Sequence, residues 1–327
     1  MSAITVQNLS KNFRVKKQVP GFSGTVKSFF KPDWHEVSAL EDVSFSIGRG
    51  ERVAFIGPNG AGKSTTIKIL SGILNPSTGS VEVAGLTPWE ERQKLSYEIG
   101  TVFGQRSQLW YHLPARDSFK LLSSAYGLDK NTYTDRLSQL TEAFDIKDLL
   151  DKPVRQMSLG QRMRCEVVAS FLHKPAILFL DEPTVGLDVS AKSVIRDLVY
   201  ETSVEDGTTI LLTSHDTGDM ERVCDRVILI DQGQIVIDAP VSKLRSSYIS
   251  RKIITLHMSV ADMPFKMQGV EIAEKAPHKM VLNVDTSQQN VSAVIEKTLS
   301  LASMRDISIE DPPMEDVLRS IYKSGQG

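Results

Sequence analysis

The sequence predicts an α/β domain followed by a smaller α+β domain, and three observations carry that expectation. ERVAFI at 51–56 reads as a strand that runs into a glycine-rich loop and then into the helical pattern TTIKILSGI. AILFL at 176–180 and TILLT at 209–213 are short continuous apolar runs, as expected of parallel strands buried on both faces. From about Arg245 the character of the chain changes, which places the domain boundary at 244/245.

Along the first domain, ITVQNL at 4–9 and ALEDVSFSI at 39–47 alternate like strands. Residues 16–36 fit neither neighbour: Lys16, Lys17, Lys27 and Lys31 mix with Phe22, Phe29, Phe30 and Trp34. That mixture suits a short amphipathic element at a membrane surface or against a partner helix, and it equally suits a surface loop folded back on its own domain. Between Pro114 and Leu150 the pattern turns helical, with Leu121, Leu122, Leu137, Leu140 and Phe144 carrying apolar faces. A helical subdomain over about 114–170 therefore interrupts the sheet domain, with a face suited to a partner.

In the second domain, 245–327, KIITLHM at 252–258 and KMVLNV at 279–284 read as strands. A helical stripe follows at Val291, Val294, Ile295, Thr298 and Leu299, then a strand at 307–309. Pro313 opens a last helix with Val317, Leu318 and Ile321 inward.

The 327 residues are long enough for about two domains, and 41% hydrophobic residues suffice for packed cores. Lys plus Arg number 38 against 40 Asp plus Glu, a formal net charge of −2, so no global basic field argues for nucleic acid. Cys165 and Cys224 lack metal-like spacing and sit in apolar surroundings, where a small buried side chain is expected. MSAITVQNLSKNF has no apolar signal-peptide core, and no run of eighteen apolar residues occurs, so the expected compartment is the cytoplasm.

The chemistry concentrates in a few stretches. GPNGAGKST at 57–65 fulfils the phosphate-loop pattern G-x-x-x-x-G-K-[ST] in the strand-to-helix setting it requires. Gly57, Asn59, Gly60 and Gly62 present backbone amides to phosphates, Pro58 lies among them in the loop, Lys63 reaches the β- and γ-phosphates, Ser64 is a Mg²⁺ ligand, and Thr65 follows in the same loop. In ILFLDEP, a buried strand delivers Asp181 to the Mg²⁺ side, and Glu182 is placed to polarise an attacking water. MSLGQ at 157–161 has the layout of a second anion site: Ser158 at a helix N-cap, an approachable Gly160, and an apolar stripe at Val167, Val168, Phe171 and Leu172. That segment is far along the chain from the only phosphate loop, which raises the question of whose phosphate it holds.

With those residues, the chain over roughly 1–240 resembles the ATP-binding cassette (ABC) ATPases, a branch of the P-loop NTPases. GPNGAGKST is similar to Walker A, TVFGQ with Gln105 to the Q-loop, MSLGQ to the signature, LFLDEP to Walker B, VGLD ending in Asp188 to the D-loop, and TSHD with His215 to the switch histidine. The resemblance implies ATP and Mg²⁺ as cofactors. Glu182, His215 and Gln105 would take catalytic roles, and Ser64, Gln105 and Asp181 would be on the metal side. Phe13 would stack on adenine, and Ser158, Gly160, Gln161 and Asp188 would meet nucleotide. The usual LSGGQ reads here with Leu159 in place of its first glycine.

In the family two subunits face head to tail, so the resemblance answers the question of the second anion site: the phosphate belongs to a partner chain. It implies a homodimer or a pair with a sister cassette, at the cytoplasmic face of the cell membrane, bound to a separate integral membrane permease. The expected function is export of a hydrophobic or amphipathic compound, with polysaccharide or glycolipid as the alternative cargo. Non-transport relatives acting on ribosomes or DNA carry two cassettes with a charged linker, or long coiled coils, and neither occurs here. A purely regulatory cassette is disfavoured by the intact Glu182.

Overall fold

The computed structural model describes residues 2–16, 34–104, 107–214, 216–248 and 251–318. Gln105, His215 and residues 17–33 of the basic-aromatic stretch lie outside the described residues. The chain divides into two compact units, Met1–Ala239 and Pro240–Gly327. The division falls ahead of Arg245, because helix Val241–Tyr248 belongs with the second unit.

Two sheets build the first unit. The larger has six strands in the order β5 (Ile99–Phe103), β6 (Ile177–Asp181), β7 (Thr209–Ser214), β3 (Arg52–Ile56), β8 (Arg226–Asp231), β9 (Gln234–Pro240). The first five run parallel in their recorded pairings. Ile177 to Leu180 and Ile210 to Leu212 are buried throughout, as continuous apolar runs require when a sheet is covered on both faces. A smaller antiparallel sheet has the order β2 (Trp34–Gly48), β1 (Ser2–Lys16), β4 (Thr78–Val83). Its buried Ile4, Val6, Leu9, Val43 and Ile47 join Phe55, Ile67, Leu70 and Phe179 in one core. Each such side chain, fully buried, contributes about 1.5–3 kcal/mol.

Helix α1 (Lys63–Leu70) leaves the glycine loop, and α2 (Arg92–Glu98) precedes β5. The helical subdomain comprises α3 (Ala115–Ala125), α4 (Lys130–Ala143) and α5 (Leu159–Phe171). Asp129 caps α4 by accepting from the amides of Asn131 at 3.0 Å and Thr132 at 3.1 Å. Leu137, Leu140 and Phe144 are buried as expected, but Leu121 is exposed. The buried face of α3 runs through Ala115, Ser118 and Phe119, and Leu121, two positions beyond Phe119, points to the other side. Helices α6 (Val189–Asp206) and α7 (Thr217–Val223) flank β7 in sequence.

The second unit begins with α8 (Val241–Tyr248) and continues as a four-stranded antiparallel sheet, β11 (Val270–Ala276), β12 (Lys279–Asp285), β10 (Arg251–Met258), β13 (Met304–Glu310). Helix α9 (Val291–Leu301) packs through Val294 on Ile254, Leu256, Met280 and Leu282. Residues 314–318 form a helical turn in which Met314 and Val317 are buried.

Both cysteines are buried, and burial pushes the Cys165 thiol up to about 12. His173 is a further titratable group of this unit, partly buried. Its ring stacks on Tyr126 with centroids 3.7 Å apart, Nε2 lies 3.0 Å from the Ile99 carbonyl oxygen, and Nδ1 is buried without a partner. The carbonyl can only accept, so the proton sits on Nε2, and a second proton on Nδ1 would have no acceptor. Burial lowers the His173 pKa from 6.5 to about 4, the Ile99 carbonyl opposes the shift, and the Arg136 charge adds to it.

The unfolded chain therefore takes up a proton at this residue below about pH 6.5 while the folded chain does not, so stability is lost as pH falls from there toward 4. Denaturant unfolding is expected to lose about 1 kcal/mol per pH unit in that window through this group alone. His173→Phe, which keeps the stacked ring, should flatten the pH dependence. An unchanged slope would remove His173 from the role.

Candidate functional site

Strand β3 and helix α1 are joined by residues 57–62, and the backbone there has room only for glycine at two places. A Cβ on Gly57 would lie 2.2 Å from the Ile230 carbonyl oxygen, so this residue lets the loop leave β3 hard against β8. Gly62 has φ 110°, and its Cβ would meet the Ala39 carbonyl oxygen at 2.7 Å. Lys63 is buried and curls back over the loop, donating from Nζ to the carbonyl oxygens of Gly57 at 2.7 Å and Pro58 at 3.1 Å. Burial lowers its pKa, while the nearby Glu182 and Asp181 carboxylates hold it up.

Asp181 ends β6 facing the loop. Its Oδ1 accepts from Ser64 Oγ at 3.2 Å and from Thr213 Oγ1 at 2.6 Å. Glu182, the next residue, has φ 54°, a left-handed conformation uncommon outside glycine, and its N–H donates to the Thr213 carbonyl oxygen at 3.0 Å. The end of β7 thus holds both acidic residues of LFLDEP in register with the loop.

Ser64, Asn59, Thr65, Asp181 and Glu182 line a cleft of 780 Å³, and Phe13 on β1 forms part of its wall. Phe13 is half-buried, with Lys11 Nζ 5.2 Å from its ring centroid. Of the expected residues, Asn59, Ser64 and Thr65 of the loop, both carboxylates and Phe13 line this cleft, while Gln105 and His215 lie outside the described residues. Ile73, Leu74, Phe103 and Val185 supply apolar lining that sequence reasoning did not single out, although Ile73 and Leu74 close the helical run that follows the loop. Thr213 was also missed; its signal was position, beside the end of an apolar strand that pairs with β6.

The chemistry of the donor set suits a hard cation and a polyphosphate. A hydroxyl and a carboxylate oxygen lie side by side at the mouth of an amide-lined loop, with one buried ammonium.

The signature residues form a separate groove of 440 Å³ on the same chain, lined by Ser158, Gly160, Gln161, Gly186 and Asp188 among others, and sharing no residue with the first cleft. Ser158 caps α5: its Oγ accepts from the Gln161 amide at 3.2 Å, and Gln161 Oε1 accepts from the Ser158 amide at 3.1 Å. Gln161 Oε1 also receives Lys152 Nζ at 3.1 Å, so its side chain is engaged within the chain. Asp188 likewise caps α6, accepting from the Ala191 amide at 2.8 Å. Leu159 lies against Gly186, where a Cβ would stand 3.0 Å from Leu159 Cδ2; its bulk is taken up by the neighbouring loop and leaves Ser158 exposed.

Comparison with known proteins agrees with this geometry. The family described as ABC transporter matches residues 40–185. The "ABC transporter ATP-binding protein NatA" of Bacillus subtilis (strain 168) is 29% identical over 78% of this chain and 97% of its own length. From the same organism, the "Linearmycin resistance ATP-binding protein LnrL" is 29% identical over 87% of this chain and 94% of its own. A solved structure described as "Structure of ATP binding subunit of ABC transporter" superposes with a TM-score of 0.62 at 28% identity, covering 76% of this chain and 93% of that one. Loop, paired carboxylates and signature helix therefore make this chain the bearer of an ABC transporter ATP-binding domain, an ATPase of the kind that powers transport.

Proposed function

We propose that this chain is the ATP-hydrolysing subunit of an exporter, working as a pair of cassettes on a separate membrane permease that carries a hydrophobic or amphipathic compound. The observation that carries the pairing is the separation of the two grooves. Ser64, Asp181 and Glu182 line one, Ser158 and Gly160 line the other, and the two share no residue. A head-to-tail pair brings the exposed Ser158 and the amides at the start of α5 to a partner's γ-phosphate, which the positive end of the helix favours.

Ser64 and Asp181 would hold Mg²⁺, which supplies charge neutralisation at the β- and γ-phosphates when bound. Lys63 exchanges its carbonyl partners for phosphate oxygens. Glu182 takes the proton of the attacking water, and Thr213 keeps its backbone aimed into the cleft. ATP binding then favours the closed pair and hydrolysis the open one, and the permease follows that population shift.

Export is supported by the resistance role in the name of LnrL. Among the described residues no helix is long and apolar enough to cross a membrane. The test is to tag the chain, extract membranes in mild detergent and identify by mass spectrometry what stays bound. A multi-helix membrane protein is the expected companion; recovery only with ribosomes, with DNA or alone would overturn the transport reading.

A further inference from the structure

We propose that Glu166 is a positioning residue for ATP hydrolysis: its buried carboxylate fastens the chain leaving β5 to the signature helix, and so fixes that helix relative to Asp181 and Glu182. Glu166 lies on α5 about two turns beyond Ser158 and is only 4% exposed. Its helix neighbours Cys165, Val167 and Val168 are buried and apolar. The carboxylate accepts from Ser107 Oγ and from the Gln108 amide at 3.1 Å, and the Gln108 side-chain amide donates to the Glu166 carbonyl oxygen at 2.9 Å. Ser107 Oγ accepts in turn from the Leu109 amide at 3.2 Å, and the Trp110 amide donates to Ser118 Oγ on α3 at 3.1 Å. Burial raises the Glu166 pKa, whereas the Ser107 and Gln108 donors and the Arg162 charge favour the ionised form.

Three residues before Ser107, the chain is fastened to the backbone of the two residues that carry the carboxylates. The Gly104 amide donates to the Asp181 carbonyl oxygen at 2.9 Å, and a Cβ on Gly104 would meet the Glu182 carbonyl oxygen at 2.5 Å. From Gly104 to Ser107 the chain can span at most roughly 11 Å. The Asp181 backbone and the signature helix are therefore both bonded to chain positions only a few residues apart, and Glu166 is the attachment point on the helix. Without that attachment the helix keeps its packing on β5 near Ser170 but loses the fastening nearest the Ser158 end. The cost falls on turnover, while ATP binding through residues 57–65 is untouched.

The inference rests on the shared-site reading above, and the tests separate the two. In the full-length chain, Glu166→Ala is expected to lower kcat for ATP about 10-fold with KM within about twofold, the split that misplacement without lost binding produces. Amide exchange at Gln108 and Leu109 should speed up selectively. Glu166→Gln should restore most of kcat, because its oxygen accepts the Gln108 amide and its nitrogen donates to Ser107 Oγ.

Wild-type kcat in Glu166→Ala overturns the proposal, as does a parallel change of kcat, KM and exchange across the whole first unit. If Glu166→Ala does not fold, Ser107→Ala carries the same reading: unaltered kcat together with unaltered exchange at 108–109 overturns it. Failure of the shared site would show instead in mixtures of Lys63 and Ser158 variants, while local exchange at 108–109 still reports the tether.

Discussion

Glu182→Gln is expected to lower ATP turnover by at least about 100-fold while leaving ATP affinity within a few fold, as removal of a general base that is not a binding group predicts. The substitution keeps the length and shape of the side chain, so the φ of 54° and the bond from its N–H to Thr213 are retained. ATP should therefore still bind and the closed pair should accumulate. Steady-state ATPase assays and size-exclusion chromatography with ATP read both halves of the statement. Turnover at the wild-type rate would remove Glu182 from the role of base. Loss of ATP binding would show that the glutamate shapes the cleft instead of acting in it.

Mixing two inactive variants is expected to restore activity. Lys63→Ala removes the buried ammonium and should weaken ATP binding about 10- to 100-fold, the usual range for a charged hydrogen-bonding partner. Ser158→Asp keeps an equally good N-cap but sets a negative charge against the partner's phosphate. Each variant alone forms pairs with two defective sites. In an equal mixture half of the pairs are hybrids, and each hybrid has one intact Lys63 facing one intact Ser158, so about a quarter of wild-type activity is expected in a head-to-tail pair. If hybrids form and stay inactive, the site is not shared between chains.

Residues 57–65 were legible because their chemistry is local: a strand, a glycine loop and a helix must be consecutive to cradle phosphate. Asp181 and Glu182 were legible because an apolar strand followed by two acids has little other use beside such a loop. Thr213 was not, because its role depends on β7 lying next to β6, a pairing no short window records. Gln161 is expected to meet nucleotide, and in the chain its side-chain oxygen accepts from the Ser158 amide and Lys152. Ser158-Leu159-Gly160-Gln161 matches the S-x-x-Q capping box, so that role was present in the sequence to be found. Glu166 lay hidden for the opposite reason: a lone acid on a helix reads as solvent-facing until the strand-exit segment is seen to lie over it. Strand β11 escaped notice because it is largely exposed and shows no alternation to read.

The capping box at the start of α5 also decides what Ser158 can offer to an incoming group. Its oxygen already receives the Gln161 amide and its backbone is clasped from the other side, so the rotamer is chosen before any ligand arrives. The hydroxyl has one proton, and with an acceptor position of its oxygen already filled, that proton is free to be directed outward. Freezing a side chain at the moment of encounter costs about 0.5–1.5 kcal/mol, and here much of that ordering is complete in the unpaired chain. A contact that looks merely structural thus leaves the exposed Ser158 pre-set for the anion proposed to meet it, and the proposed pairing of chains would require correspondingly less reorganisation.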